Sequence, residues 1–275
     1  MNLLIIGRNS LLCKLFLENT KIKNFRVYSR YDLDKINFKN FTHLLNFSFN
    51  HKLQTTNYNE KIDFDLKLSK IVSKYNIIYI FLSSRLVYSG IKTKFVENLK
   101  LRPQSIYGKN KLITEDKIRN VLPDKHLILR LSTMLYFNFS HYKKKNIKVK
   151  KRELFSYTML SNLKKNKKII FDFKKNTYKD FIIPSYFAKS IDRLILNNVI
   201  GTYNLCSGLK IRVEEIAKKI IYGFKKGTVM FENKNNLYQN FFMSNKLIFK
   251  KTAISVSKKE IYDYCIKLGS RSNDK

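Results

Sequence analysis

Tryptophan is absent from the chain, proline occurs three times and glycine eight times. So little proline and glycine excludes collagen-like and low-complexity chains, and leaves few residues for the backbone conformations that tight turns need. Three cysteines, Cys13, Cys206 and Cys265, are scattered without a CxxC pair, which speaks against a disulfide framework and a zinc cluster. Acids are scarce too: 20 Asp and Glu face 55 Lys and Arg, a formal charge of +35. No apolar run approaches bilayer length. The opening MNLLIIG lacks a basic segment and breaks at Gly7, so neither a membrane span nor a secretory signal is expected. The expectation is a soluble protein of the reducing cytoplasm.

With 275 residues and 44% hydrophobic content, the chain can bury a sizeable core as one large domain or as a domain plus a smaller lobe. A charge of +35 attracts nucleic acid, anionic membranes or phosphorylated small molecules. The lysines, however, are spread along the chain in company with Asn, Ile, Phe and Tyr, the pattern that A/T-rich codons produce. Charge alone therefore does not select a polyanion-binding protein.

NLLIIG reads as a buried strand ending at Gly7, and SLLCKLFLEN continues with apolar residues at helical spacing. Further short apolar runs occur in NFRVYSR (24–30), THLLNFS (42–48), NIIYIFLSS (76–84), KHLILRLS (125–132) and GTYNLCSG (201–208). Strands that are apolar on both faces and alternate with helices predict an α/β fold with a doubly wound parallel sheet. The expected division is a dinucleotide-binding domain at 1–138 and a substrate lobe at 139–180 and 209–270, with 181–208 returning to the sheet. The Lys-rich HYKKKNIKVKKR and KKNKKIIFDFKKN fall in that lobe, VEEIAKKIIYGF reads as an amphipathic helix, and RSNDK at the end reads as frayed.

The turn GRNSLLC has one glycine, Gly7, where a dinucleotide fingerprint has three; Ser10 and Cys13 stand at the other two places. Both are small, and Ser10 brings a hydroxyl and an amide to a helix N-terminus, where phosphate binds. After the second strand come Ser29 and Arg30 in place of an acid, which suits a 2′-phosphate and so NADP over NAD. A tyrosine four residues before a lysine is weak evidence here. Seventeen tyrosines in so Lys-rich a chain give roughly three such pairs by chance. There are four: Tyr31/Lys35, Tyr88/Lys92, Tyr107/Lys111 and Tyr222/Lys226. Position separates them. Tyr107 follows the Ser83-Ser84 end of a buried strand and lies on a helix predicted to open at Pro103 and run to about Asn120, where positions 107 and 111 share a face. His43, His51, His126 and His141 lack metal-binding spacing, and no metal is expected.

The ordered set LSSRLVYSG, the run from Glu97 to Glu115 that contains SIYGKNKL, LILRLS, YKDFIIPSYFAKSI and GTYNLCSG resembles the extended short-chain dehydrogenase/reductase family, in its nucleotide-sugar epimerase, reductase and dehydratase branch. The resemblance implies a Rossmann-type fold and catalytic roles for Ser84, Tyr107 and Lys111. It further implies cofactor contacts from Gly7, Asn9, Ser10, Leu11, Leu12, Ser29, Arg30 and Lys111, and substrate contacts from Ser84 and Lys179. In such a site Ser84 hydrogen-bonds the sugar oxygen, Tyr107 passes a proton, and Lys111 tunes Tyr107 and holds the cofactor ribose. Lys179 in YKDFI stands where an arginine commonly meets the diphosphate. Dehydratases of this branch follow the catalytic hydroxyl with Asp and Glu; Arg85 and Leu86 here point away from dehydration. The implied activity is hydride transfer at a ring carbon of a nucleotide-linked sugar, with NADP or NAD, in surface polysaccharide synthesis, and a homodimer stays open. Arg130 follows a strand and is expected to be structural. Two alternatives stand beside this reading: a binding protein of the same fold without catalysis, and a basic nucleic-acid-binding protein.

Overall fold

Leu3–Ile6 (β1) is buried at all four positions, as a strand covered on both faces must be. Leu3 and Ile5 point into one apolar cluster, Leu4 and Ile6 into another, which is the alternation a strand imposes. A computed structural model of the chain describes residues 1–88, 94–136, 155–232 and 240–273. HYKKKNIKVKKR (141–152) lies outside the described residues.

The main sheet is completed by β2 (Phe25–Tyr28), β3 (His43–Asn46), β4 (Ile78–Ser84), β6 (His126–Leu131) and β11 (Gly201–Leu205), in the order β11-β6-β4-β3-β1-β2. Every neighbouring pair is parallel. Parallel neighbours need crossovers, and here helices supply them on both faces. Helix α1 (Leu11–Asn19) and α5 (Pro184–Leu196) cover one face through Phe16, Phe187 and Ile191. On the other, α2 (Phe64–Val72) and α3 (Ile106–Val121) contribute Leu68, Val72 and Ile118. The six-stranded, doubly wound parallel sheet expected from the sequence is present. Strand order reverses between β1 and β3, and ligands of open α/β sheets bind beyond the carboxyl ends of the strands at such a point.

Outside the sheet, β8 (Lys168–Phe171) pairs with β13 (Thr228–Phe231), and α6 (Val213–Phe224) packs on α8 (Lys258–Asn273). The C-terminal segment departs from the expected frayed end: α8 runs on to Asn273, with Ser272 buried and its hydroxyl donating to Leu268 O at 2.7 Å. Helix α3 also starts later than Pro103 suggests. Ser105 is its N-cap and accepts from Gly108 N at 3.1 Å, so a serine hydroxyl starts the helix.

A buried carboxylate latches α3 to the sheet. Glu115, fully buried, accepts from Arg130 Nη2 and Arg119 Nη2, both at 2.8 Å, and from Ser83 Oγ at the end of β4. Arg130 on β6 also donates to Tyr88 Oη at 3.0 Å and Glu97 O at 3.2 Å. Tyr88 donates to Asn204 Oδ1 on β11 at 2.7 Å. Arg130 is thus a structural residue that joins β4, β6, β11 and α3. Breaking one side of a buried ion pair leaves an uncompensated charge, whereas replacing both sides with apolar groups of similar volume costs far less. Glu115→Ala is therefore expected to lower stability by about 3–5 kcal/mol, and the Glu115→Leu/Arg130→Met pair by less, in urea denaturation. Equal losses in the two variants would show that the stranded charge is not the cause.

Candidate functional site

Of the four Tyr-x-x-x-Lys tyrosines, the structure puts one on a helix packed against the serine turn. Tyr31 and Tyr222 are 76% and 74% exposed, and Tyr88 is buried inside the Arg130 network. Tyr107 is half-buried in the first turn of α3. Next to it, Gly108 lets the helix meet the 3-10 turn Arg85–Val87: a Cβ there would lie 2.1 Å from Leu86 O, a backbone atom that cannot yield. Ser84 opens that turn and accepts from Leu86 N at 3.3 Å. A glycine next to the tyrosine is what brings the tyrosine's helix against the serine's turn.

Lys111 is buried one helical turn on, and its ammonium donates to Leu82 O at 2.9 Å. It also lies over Phe81 at 4.3 Å and Phe49 at 4.7 Å. Phe49 meets Tyr107 edge-on at 5.6 Å, so one ring touches both members of the pair. Behind the ammonium, Asp65 Oδ2 stands 4.0 Å away, while its Oδ1 accepts from Asn46 Nδ2 and Tyr79 Oη, each at 2.7 Å. Burial pushes the Asp65 carboxyl up to about 6, outweighing the opposing pull of Lys111. Phe49 and Asp65 escaped the sequence reading because their partners on α3 lie far along the chain. An Asp-x-Asp at a helix start carried only a capping signal, and Asp63 does accept from Asp65 N and Leu66 N.

At the switch point, Gly7 is buried with φ of 110°, and a Cβ on it would sit 2.9 Å from Phe47 C and Ser48 N. Only glycine allows β1 and β3 to diverge there. Ser10 caps α1 without a side-chain bond to the helix, and no acid occupies the first turn. The helix thus presents unsatisfied N–H groups of the kind that hold phosphate. Asn9 is exposed, and Leu11 and Leu12 are half-buried beside it. Cys13, at the third glycine's place, is buried against the sheet with its thiol pushed up to about 11 by burial, a packing residue without reactive character. These residues fit the pyrophosphate of a dinucleotide.

At the end of β2, the Arg30 guanidinium donates to Tyr31 Oη at 2.5 Å and lies over that ring at 4.7 Å. An acid is present after all. Asp32 Oδ2 accepts from Ser29 N at 3.1 Å, so a carboxylate shares the turn with Ser29 and Arg30. Asp32 lies beyond the position directly after the strand, and the turn folds it back onto Ser29. Lys179, on β9 (Tyr178–Lys179), is buried with Phe173, Phe241 and Phe155 at 5.2, 5.8 and 5.9 Å from its ammonium. The adjoining Asp180 accepts from Ser207 N at 3.0 Å and Gly208 N at 2.8 Å, anchoring β9 to the turn after β11. Among the described residues no cluster of three or more His, Cys, Asp or Glu gathers to hold a metal ion, and no helix is long and apolar enough to cross a membrane.

The RmlD substrate binding domain family matches residues 51–170. No curated protein matches the sequence. Among solved structures, a dTDP-4-dehydrorhamnose reductase from Clostridium acetobutylicum is similar at 18% identity and a TM-score of 0.77, over 98% of this chain and 99% of that one. A UDP-N-acetylglucosamine 4-epimerase from Methanobrevibacter ruminantium is similar at 14% and 0.78, over 97% of each chain. RMD from Pseudomonas aeruginosa, complexed with NADPH, is similar at 12% and 0.76, over 100% and 99%. A dTDP-glucose 4,6-dehydratase in complex with NAD shares the fold as well, so the fold does not choose among these reactions.

Asp65 gives the site a pH signature. Its folded carboxyl titrates above the ordinary value near 4, so proton binding favours the folded state; stability from this group is greatest in acid and falls as pH rises through about 6. Asp65→Asn removes that slope. From pH 4 to 7 the stability of the variant relative to wild type is expected to rise by up to about 3 kcal/mol, whatever constant offset the amide introduces. A difference independent of pH in chemical denaturation would contradict this. Residues 51–170 thus match the RmlD substrate binding domain, and along its whole length the chain has the fold of nucleotide-sugar reductases and epimerases.

Proposed function

We propose that the chain is a nicotinamide-dependent oxidoreductase or epimerase acting on a nucleotide-linked sugar, in the assembly of surface polysaccharide. The observation that carries this reading is the backbone contact at Gly108, which packs the helix that carries Tyr107 against the turn begun by Ser84, with Lys111 anchored one helical turn on from Tyr107. Gly7, Asn9, Ser10, Leu11 and Leu12 would hold the pyrophosphate of the cofactor, and Ser29 and Arg30 its adenosine ribose. The Arg30 guanidinium suits a 2′-phosphate and makes NADP the preferred cofactor. Asp32, close by, suits a free hydroxyl and leaves NAD a second ligand.

When bound, the nicotinamide supplies the hydride chemistry. Ser84 Oγ holds the reacting sugar oxygen, and the Tyr107 phenol gives or takes the proton on that oxygen. Lys111 brings a positive charge to the same face of α3, at a position set by Leu82 O and bounded by two aromatic faces. Lys179 faces the diphosphate. Arg85 and Leu86, directly after Ser84, offer no carboxyl group for removing water, which favours reduction or epimerisation over dehydration.

A second reading, a binding protein of this fold without catalysis, draws on Phe49, whose ring covers Lys111 and abuts Tyr107. One assay distinguishes the two. With NADPH or NADH and a panel of UDP- and dTDP-linked sugars and keto sugars, mass spectrometry is expected to find a product from the wild type. Tyr107→Phe should lose at least about a hundredfold in turnover while still binding NADPH. Full turnover in that variant overturns the catalytic assignment, and cofactor binding with no product from any sugar favours the second reading.

A further inference from the structure

The strand β9 has two unlike faces. Lys179 is buried among phenylalanine rings, whereas Tyr178 is half-buried and turned the other way. β12 (Ile211–Arg212) runs antiparallel to β9, with Ile211 opposite Lys179 and Arg212 opposite Tyr178. Ile211 is fully buried and Arg212 exposed, so Tyr178 and Arg212 share the outer face. The same alternation holds where β5 (Lys94–Phe95) pairs with β14 (Phe242–Met243). Phe95 and Met243 are buried, while Lys94 is exposed and Phe242, its partner in the register, is half-buried. Phe241 N donates to Tyr178 O at 3.3 Å and Tyr178 N to Asn240 Oδ1 at 2.9 Å, which joins the two strand pairs into one wall.

Lys210 bridges the outer faces of the two pairs. It is exposed, and its ammonium lies 4.6 Å from the Phe242 centroid and 5.5 Å from that of Tyr178. Across the wall the outward side chains therefore run Lys94, Phe242, Lys210, Tyr178, Arg212, with cation and ring alternating. The turn that presents Lys210 is firmly built: Asp180 accepts from Ser207 N and Gly208 N, and Asn245 Nδ2 donates to Ser207 O at 3.0 Å. Among the described residues, none of the three cations makes an ion pair within 4.0 Å. The acids next to Arg212 in sequence are engaged elsewhere, Glu214 with Lys218 at 2.8 Å and Glu215 with Lys258 at 3.2 Å.

Flat π faces interleaved with point charges complement a partner that carries flat rings and anionic groups in close alternation. Single-stranded nucleic acid is such a partner. A duplex keeps its bases stacked on one another, and an anionic lipid surface or polysaccharide offers charge without aromatic rings. Lys210 sits on a flexible stem, so a base arriving on either ring displaces its ammonium to the adjoining phosphate. The formal charge of +35 draws in any polyanion; the rings are what selects unpaired bases. We infer that this outer wall binds single-stranded nucleic acid, with Tyr178 and Phe242 as stacking platforms and Lys94, Lys210 and Arg212 as phosphate contacts. It lies on the side of β9 away from Lys179, so the inference stands apart from the proposed reading of Ser84, Tyr107 and Lys111.

The test is fluorescence anisotropy with a labelled oligothymidylate of about 12 nucleotides in about 0.15 M salt, competed by duplex DNA, heparin and phosphatidylserine vesicles. The single strand should bind saturably and resist all three competitors at equal charge. Tyr178→Ala and Phe242→Ala combined should weaken it by about tenfold or more and leave heparin affinity unchanged, while Tyr178→Phe, which keeps the ring, should bind as the wild type does. Lys210→Ala should reduce the slope of log affinity against log salt by about 0.7. Equal or better competition by heparin, duplex or vesicles would assign the wall to charge alone and overturn the inference. So would undiminished binding by the alanine pair. Thermal melts check that the variants fold, and Tyr178→Leu, apolar but not flat, keeps the test decisive if the alanine pair unfolds: it should lose affinity, and full affinity overturns the inference.

Discussion

The buried Glu115 carboxylate is the constraint on which the site depends. It receives donors from the end of β4 through Ser83, from β6 through Arg130 and from its own helix through Arg119. Each partner lies close to a residue of the candidate site: Ser83 precedes Ser84, Glu115 is one helical turn beyond Lys111, and Arg130 lies over Tyr88, which closes the turn that Ser84 opens. Buried ion pairs contribute little net stability compared with apolar packing. What this one contributes is register. It sets where along β4 helix α3 lies, and Gly108 then sets how near.

With α3 so fixed, the site is a set of short-range consequences. The close approach at Gly108 puts the helix carrying Tyr107 against the Ser84 turn. Leu82 O and Asp65 hold the Lys111 ammonium from the strand and from α2. On the opposite side of the reversal point, Gly7 lets the chain leave β1 without striking Phe47. One glycine stands where three are usual; Ser10 makes no side-chain bond to the N-terminus of α1, and Cys13 is small enough to pack.

Much of this was legible in the sequence because its signals are local. Apolar runs bounded by polar turns marked the strands of the sheet, and Ser83-Ser84 marked the carboxyl end of the longest one. Only position could separate Tyr107 from its three rivals in the sequence; in the structure two of the rivals are exposed and the third is locked in the Arg130 network. What stayed illegible is non-local. Asp65 meets Lys111, and Phe49 meets Tyr107, across long stretches of chain that no spacing rule spans. Asp32 was hidden by a turn that folds it back onto Ser29. The start of α3 was misread for a different reason: Pro103 is a general opener, and the stronger local signal was the Ser105 hydroxyl that caps the helix.

The proposed function requires that a switch point with a single glycine, beside a helix whose N-cap Ser10 makes no side-chain bond, holds a nicotinamide dinucleotide. Titration of the purified protein with NADPH and NADH, followed by calorimetry, tests it most directly. The account predicts saturable one-to-one binding, tighter for NADPH, that Gly7→Ala abolishes. Absence of binding by either dinucleotide, or binding that Gly7→Ala leaves unchanged, would contradict it.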